Sequence, residues 1–197
     1  MNLANKLTIF RMILVPILVI VPFLPLSGKL FEIPIQYIIM TIIFIIASAT
    51  DKLDGYIARS RNQITTFGKF LDPIADKILV ISALIILVEQ SKLPAWIPII
   101  VIIREFLVSG YRLVAVEKQG KVIAANMWGK LKTVTQMLAI ILAMLDLNGF
   151  GDCISSNLTG FQFVYNVIST ILMSISVIAT IFSGIDYLKN GKDLFKE

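Results

Sequence analysis

The chain has 197 residues, of which 57% are hydrophobic, and its mean hydropathy is +0.85; soluble domains are only about 45–50% apolar, so the composition excludes an ordinary soluble domain and indicates an integral membrane protein. It carries 18 Lys and Arg against 13 Asp and Glu, for a net charge of +5, and it has no histidine. A histidine general base, a Ser-His or Cys-His pair and an imidazole metal site are therefore excluded, and the single Cys153 has no partner in this chain for a disulfide.

Uncharged stretches predict the membrane helices. Three of them, residues 12–28, 33–50 and 153–185, carry no charge over a length that approaches a bilayer span of roughly 20 apolar residues. Three others have shorter uncharged cores, and we predict them as helices whose charged ends protrude or line a wet cavity. The predicted fold is all-α, a polytopic membrane protein with a single domain over residues 1–197 and six transmembrane helices at 5–27, 34–59, 67–90, 93–118, 126–147 and 162–189.

The positions of lysine and arginine predict the orientation, because the cytoplasmic flanks of membrane helices are enriched in them. Of the 18 Lys and Arg, only Lys29 and Lys92 fall in the loops on the side away from the termini of a six-helix arrangement. Both termini, and the acid-rich stretch described next, are therefore expected in the cytoplasm. This basic face suits anionic headgroups or phosphorylated substrates, whereas no basic stripe interleaved with aromatic residues supports nucleic-acid binding.

Four aspartates follow the apolar run that ends at residue 50. At about 100° per residue, one arc of about 100° on the second predicted helix holds two acids and two small residues, Asp51, Asp54, Gly55 and Ala58. A stripe of about 80° on the third holds Gly68, Asp72 and Asp76. A short loop makes these helices antiparallel neighbours, so their acid faces oppose each other. Four ionised carboxylates this close repel unless cations neutralise them, and Mg²⁺ or Mn²⁺ is the expected occupant because hard ions prefer oxygen ligands.

The residues between the acids also fit a binding site. Gly55 and Ala58 remove side-chain bulk from the acid face, so a flat ligand or another backbone can approach. Arg59 can pair with a phosphate in bidentate fashion. The structural alternative is that the acids are solvated interface residues, with Asp72 before Pro73 acting as a helix N-cap followed by an N1 proline. Two matched acid faces with small residues between them favour the binding site.

The spacing of these residues resembles a known family. The stretch reads Asp51-x2-Asp54-Gly55-x2-Ala58-Arg59-x8-Gly68-x3-Asp72-x3-Asp76, and every fixed position and gap matches the motif of the CDP-alcohol phosphatidyltransferases. Three further segments are similar to the bacterial phosphatidylglycerolphosphate synthase branch of that family. They are "NKLTIFRMILVP", which contains Thr8 and Arg11, "REFLVSGYRLVA" and "GKLKTVTQM".

The resemblance implies a six-helix domain of the bacterial plasma membrane, usually a homodimer. It implies transfer of a phosphatidyl group from CDP-diacylglycerol to an alcohol, with release of CMP, and for this branch the alcohol is sn-glycerol 3-phosphate. It also implies that two divalent ions, Mg²⁺ or Mn²⁺, are bound by Asp51, Asp54, Asp72 and Asp76, and that Asp76 is the general base. The implied CDP-diacylglycerol site consists of Gly55, Ala58, Arg59, Gly68, Thr8 and Arg11.

Glycerol 3-phosphate brings a second phosphate, so a further basic cluster is expected. Arg104 and Arg112 lie about 80° apart on the fourth predicted helix, whereas Lys130 and Lys132 lie about 200° apart on the fifth and cannot both face one pocket. We predict that Arg112, Lys130 and Arg104 bind the acceptor phosphate. For each of these four cations, including Lys132, the alternative is a side chain that only reaches the membrane interface, and Arg104 can instead pair with Glu105 or another acid.

Three other functions are compatible with parts of the sequence. Intramembrane carboxylates also mark ion transporters, but the outer half of every predicted helix is apolar, so no path continues from the acids. A structural assembly protein would leave the acid cluster without a purpose. A sibling enzyme that uses another alcohol, such as phosphatidylglycerol for cardiolipin synthesis, is the nearest rival.

Overall fold

The computed structural model describes residues 3–60, 66–119 and 127–190, and within these ranges it describes the side chains of residues 5–51, 68, 71–115 and 127–189. Within that part of the chain, the long helices are α1 (Leu3–Ile20), α2 (Ile35–Ser60), α3 (Thr66–Glu89), α4 (Trp96–Gln119), α5 (Met127–Leu145) and α7 (Gly160–Asn190). The short helix α6 (Asp152–Ser155) precedes α7. The long helices overlap the six predicted ones, and the chain is an all-α membrane protein.

Length and composition qualify three helical segments to cross a membrane: Asn5–Phe23, Met127–Leu145 and Gly160–Lys189. A shorter apolar segment, Ile35–Asp51, opens α2. In α2, α3 and α4 the charged residues beside the apolar run belong to the helix itself. A stretch of these helices long enough to span a membrane therefore includes acids or bases as well as apolar residues. Six spans therefore stay a prediction for the chain.

The predicted end of the first helix at residue 27 is wrong. Helix α1 ends at Ile20, a 3-10 turn follows over Val21–Phe23, and a two-stranded hairpin comes next. Pro22 and Pro25 explain the early end, because proline donates no backbone hydrogen bond and disfavours helical backbone in the residue before it.

The hairpin pairs β1 (Lys29–Leu30) with β2 (Ile33–Pro34) in antiparallel register. Its two turn residues, Phe31 and Glu32, have φ values of 52° and 66°. Two consecutive left-handed residues are what a tight two-residue hairpin turn requires, because this backbone matches the twist of the flanking strands. Such a hairpin is too local a signal to be seen in hydropathy, so the sequence reasoning missed it.

The chain divides into two compact units, and each is described separately. The first contains Met1–Lys92 and Ile141–Leu147, and the second contains Leu93–Ile140 and Asn148–Glu197. In the first unit α1 packs on α2 and α3 around fully buried apolar side chains such as Leu18, Phe44 and Leu79. In the second, α4 packs on α7, and one buried cluster there consists of Val108, Tyr111, Ala115 and Tyr187. That the whole of residues 1–197 acts as one membrane domain stays a prediction.

A buried lysine, Lys92, lies just after the end of α3 in the first unit. Lys92 is only 5% exposed, its Nζ donates a hydrogen bond to the carbonyl oxygen of Met144 at 2.8 Å, and the same atom lies 3.6 Å from the ring centroid of Tyr37. Burial lowers the pKa of Lys92 from 10.5 to about 7, and the nearby Asp146 carboxylate opposes part of that shift. Lys92 is therefore expected to lose its charge near neutral pH.

This pKa predicts how stability changes with pH. Because the folded-state pKa lies below the unfolded one, the unfolded chain binds more protons between about pH 7 and pH 10.5, and the free energy of unfolding rises with pH across that window. From pH 7 to pH 9 the rise from this one group is about 2 kcal/mol. The melting temperature of the purified protein in detergent should rise over that range relative to a Lys92→Met variant, which lacks the titrating group. Parallel curves for the two proteins would contradict the assignment.

Candidate active site

Among the described side chains, helix α1 contacts the motif aspartates Asp51 and Asp72. The Thr8 hydroxyl donates a hydrogen bond to Oδ1 of Asp72 on α3 at 2.7 Å, and Nη1 of Arg11 lies 3.0 Å from Oδ1 of Asp51 on α2. Thr8 and Arg11 are three residues apart, so their Cβ atoms lie about 5–6 Å from each other on one face of the helix. This face of α1 therefore contacts both Asp51 and Asp72, and the convergence of the opposed acid faces stays a prediction.

Arg11 is fully buried, with 0% of its side chain exposed, whereas the Asp51 side chain is 40% exposed. Nε of Arg11 donates a hydrogen bond to the carbonyl oxygen of Ala47, one helical turn before Asp51 on α2. A buried guanidinium needs such partners, because an unpaired charge in a low-dielectric interior is costly. Asp51 thus has one oxygen fixed by a buried cation while part of its carboxylate remains open to solvent.

On α3, Asp72 and Asp76 lie four residues apart, hence on one face, and both are partly buried. Gly68, one turn before Asp72, is buried, which agrees with its place on the same predicted stripe. The helix is continuous through Pro73, which is exposed. The N-cap alternative for Asp72 is wrong, because α3 begins at Thr66, well before it.

Several predicted site residues lie outside the described side chains. Asp54, Gly55, Ala58 and Arg59 belong to α2, whose backbone is described, but nothing is described of their side chains. Their assignment to the metal site and to the nucleotide pocket therefore stays a prediction.

The donor atoms that are described fit a hard divalent cation. Carboxylate oxygen is the ligand that Mg²⁺ and Mn²⁺ prefer, and Asp51 and Asp72 each have Oδ1 in contact with a side chain of α1. Within the described residues, no three carboxylate, thiol or imidazole groups come together as a complete metal centre. Asp51, Asp72 and Asp76 belong to the described residues and do not form such a group, and the fourth motif acid, Asp54, falls outside them, so a two-ion site stays a prediction.

In the second unit, two of the predicted acceptor cations, Arg104 and Arg112, contact α7. Nη1 of Arg104 lies 2.9 Å from Oε1 of Glu105, and its Nη2 donates to Oγ of Ser183 at 2.5 Å. Nζ of Lys132, on α5, donates to the same Glu105 oxygen. Glu105 therefore holds two cations from two helices, and the alternative that Arg104 pairs with Glu105 is confirmed.

Tyr187 on α7 connects the two arginines. Nη2 of Arg112 donates a hydrogen bond to the Tyr187 hydroxyl at 2.5 Å. The guanidinium carbons of Arg112 and Arg104 lie 5.3 Å and 5.9 Å from the centroid of the same ring. Tyr187 is only 3% exposed whereas Arg112 is exposed, so the ring supports a guanidinium group that solvent can reach. The approximate 80° spacing placed both arginines on one side of α4, and the structure brings them together.

The two lysines of α5 point differently, as their angular separation predicted. Lys130 is exposed, whereas Lys132 is 7% exposed and contacts Glu105. The alternative that Lys132 only reaches the membrane interface is therefore wrong, and the role of Lys130 stays a prediction. Sequence reasoning did not select Lys132, Glu105 or Tyr187. The only signal for Glu105 was its position next to Arg104, and Tyr187 lies 75 positions from its partner Arg112.

The chain is similar to known proteins over nearly its whole length. A family model described as CDP-alcohol phosphatidyltransferase matches residues 1–182. The chain is 42% identical over 200 residues to the CDP-diacylglycerol–glycerol-3-phosphate 3-phosphatidyltransferase of Bacillus subtilis, covering 99% of this chain and 97% of the relative. It is 39% identical to the Haemophilus influenzae protein of the same name, over 97% of this chain and 94% of the relative. A probable phosphatidylglycerophosphate synthase of Mycobacterium tuberculosis is 36% identical over 95% of this chain and 80% of the relative.

Proposed function

Because the chain belongs to the CDP-alcohol phosphatidyltransferase family, we propose that it transfers a phosphatidyl group from CDP-diacylglycerol to sn-glycerol 3-phosphate, giving phosphatidylglycerol phosphate and CMP. The observation that carries the proposal is that one face of α1 contacts two of the motif carboxylates, Asp51 and Asp72. The relatives that match over nearly the full chain carry names for the same reaction.

In the proposed reaction, the acceptor hydroxyl oxygen forms a bond to the phosphorus of the phosphatidyl group, and the bond between that phosphorus and the oxygen of CMP breaks. Asp76 accepts the hydroxyl proton. Asp51, Asp54, Asp72 and Asp76 would hold two Mg²⁺ or Mn²⁺ ions. When bound, such ions neutralise the pyrophosphate and stabilise the leaving phosphate. Gly55, Ala58, Arg59 and Gly68 shape the pocket for the cytidine diphosphate group.

The acceptor phosphate is assigned to the second unit's cations. Arg104, Arg112 and Lys130 are proposed to bind it, and the contacts of the first two with Tyr187 support their assignment. A guanidinium group with its plane fixed by an aromatic ring and a hydroxyl is well suited to a phosphate, because less side-chain freedom is lost on binding. Glu105 offsets part of the positive charge of Arg104 and Lys132, so the exposed Arg112 is the strongest candidate for direct contact.

The membrane arrangement is also part of the proposal. Six helices span the bacterial plasma membrane with both termini and the aspartate motif in the cytoplasm, and two copies form a homodimer. The distribution of Lys and Arg supports this orientation. The lipid substrate would then come from the cytoplasmic leaflet and glycerol 3-phosphate from the cytosol.

A panel of acceptor alcohols tests the function. Purified protein with CDP-diacylglycerol and Mg²⁺ should release CMP with sn-glycerol 3-phosphate at a kcat/KM at least about 100-fold above that for phosphatidylglycerol, inositol or serine, because a site built for an acceptor phosphate rejects alcohols that lack it. Faster release with phosphatidylglycerol would identify the sibling enzyme that makes cardiolipin. If no alcohol led to CMP release, the proposed enzymatic function would be wrong, and the ion transporter would be the next function to test.

A further inference from the structure

We propose that Thr8 and Arg11 are positioning residues for the metal-binding carboxylates and make no contact with the nucleotide of CDP-diacylglycerol. Helix α1 would then line the metal site together with α2 and α3. This inference rests on the proposed function for the identity of the site, and it replaces the role in substrate binding that the family resemblance implied for these two residues.

Burial is the first reason. Thr8 is 1% exposed and Arg11 is 0% exposed, so neither side chain offers surface to a substrate. Both belong to the buried stripe of α1, which continues through Val15 and Leu18 at spacings of three and four residues. Polar side chains therefore occupy the motif end of a stripe whose other end is apolar. A polar group in such a place needs a partner inside the protein.

The partners are the second reason. Thr8 donates its one hydroxyl hydrogen to Asp72 at 2.7 Å, so that hydrogen is not available to a phosphate or ribose oxygen. Arg11 uses separate nitrogens for the Ala47 carbonyl oxygen and for Asp51. Nη1 forms an ion pair with Asp51 rather than a hydrogen bond, while the Nε bond to the Ala47 oxygen anchors the guanidinium group on α2. Oδ1 of Asp72 thereby accepts a hydrogen bond from α1, and Oδ1 of Asp51 forms an ion pair with it.

Such outer partners matter for metal binding because they fix the direction in which a ligand oxygen points, and their loss commonly weakens binding by about 10- to 100-fold. Thr8 gives the cleaner test of the two. Its removal changes the orientation of Asp72 without changing the charge of the site, whereas removal of Arg11 would also make the site more negative and thereby attract cations.

The experiment compares Thr8→Val, which keeps the shape and loses the hydroxyl, with Thr8→Ser, which keeps the hydroxyl. Mn²⁺ affinity is measured by electron paramagnetic resonance of the free ion, with purified full-length protein in detergent and without substrates. Thr8→Val should bind Mn²⁺ about 10-fold more weakly than the parent, and Thr8→Ser should stay within about twofold. Thr41→Val is the matched control, because Thr41 is also a buried threonine of this unit but donates to the Tyr37 carbonyl of its own helix.

Arg11→Lys provides a second arm. It keeps the charge but cannot reach the Ala47 oxygen and Asp51 through separate nitrogens of one planar group, so Mn²⁺ affinity should again fall by several-fold. Unchanged Mn²⁺ affinity in both Thr8→Val and Arg11→Lys would overturn the proposal. A fall in CDP-diacylglycerol affinity measured without metal, with Mn²⁺ affinity intact, would also overturn it and would indicate that these residues contact the nucleotide. Since the Mn²⁺ titration needs no turnover, its result can be distinguished from a failure of the acceptor panel.

Discussion

Asp76→Asn is expected to lower kcat for CMP release by at least about a thousandfold, because loss of a general base alone typically costs about 10²- to 10⁴-fold. The substitution keeps the size and shape of the side chain and removes both its basicity and a charged metal ligand. Asp76 is only partly buried, at a position four residues after Asp72 on α3. The melting temperature without metal should therefore change little, since Asn removes one charge from a cluster of like charges.

The control for this prediction is Glu32→Gln, which removes a carboxylate from the exposed turn of the hairpin, away from the motif. It should retain the parent's kcat. Asp51 is a less clean position for the same test, because its loss would also remove an ion pair with the buried Arg11 and lower stability. Turnover within tenfold of the parent for folded Asp76→Asn would exclude Asp76 as the base.

Arg112→Ala is expected to raise the KM for sn-glycerol 3-phosphate by about 10- to 100-fold, the size of one charge-assisted hydrogen bond. The KM for CDP-diacylglycerol should change less than about threefold, because the proposed contact is with the acceptor alone. Tyr187→Phe should also raise the KM for sn-glycerol 3-phosphate, but by a smaller factor. It removes the hydroxyl that holds Arg112 at 2.5 Å but keeps the ring beneath the guanidinium group.

Lys130→Ala and Lys132→Ala separate the two lysines in the same assay. If the exposed Lys130 binds the acceptor, its loss should also raise the KM for glycerol 3-phosphate. Lys132→Ala should act mainly through Glu105, whose remaining cationic partner is then Arg104. Equal effects of Arg112→Ala on the KM of both substrates, or none on either, would remove Arg112 from the acceptor site.

Much of the fold could be predicted from the sequence because its signals are local. Uncharged runs placed the six long helices, and a period of 3.6 residues placed Asp51 on one helix face and Asp72 and Asp76 on another. The fixed spacing of the motif residues, through its resemblance to the family, predicted the type of reaction. The end of α1 was mispredicted because hydropathy does not register proline, although Pro22 and Pro25 supplied a local reason to stop the helix there.

The remaining parts depend on contacts between residues far apart in the sequence. The angle between Lys130 and Lys132 showed that they face opposite ways, but only the packing of α4 with α5 and α7 decides which one meets Glu105. Thr8 lies 64 positions from Asp72, so no periodicity could reveal that bond. Composition does not distinguish a buried polar side chain that fixes a ligand from one that binds substrate, whereas burial and partners do.

Incorporation of labelled sn-glycerol 3-phosphate into lipid tests whether the protein transfers a phosphatidyl group to this acceptor with the help of a metal ion. The purified protein is incubated with CDP-diacylglycerol, the labelled acceptor and Mg²⁺, and CMP and chloroform-extractable label are counted in the same sample, with and without excess chelator. We predict one labelled lipid molecule for each CMP released, and neither product in chelator. Labelled lipid formed at the full rate in chelator, or CMP released without label entering lipid, would contradict the account of a metal-dependent transfer to glycerol 3-phosphate.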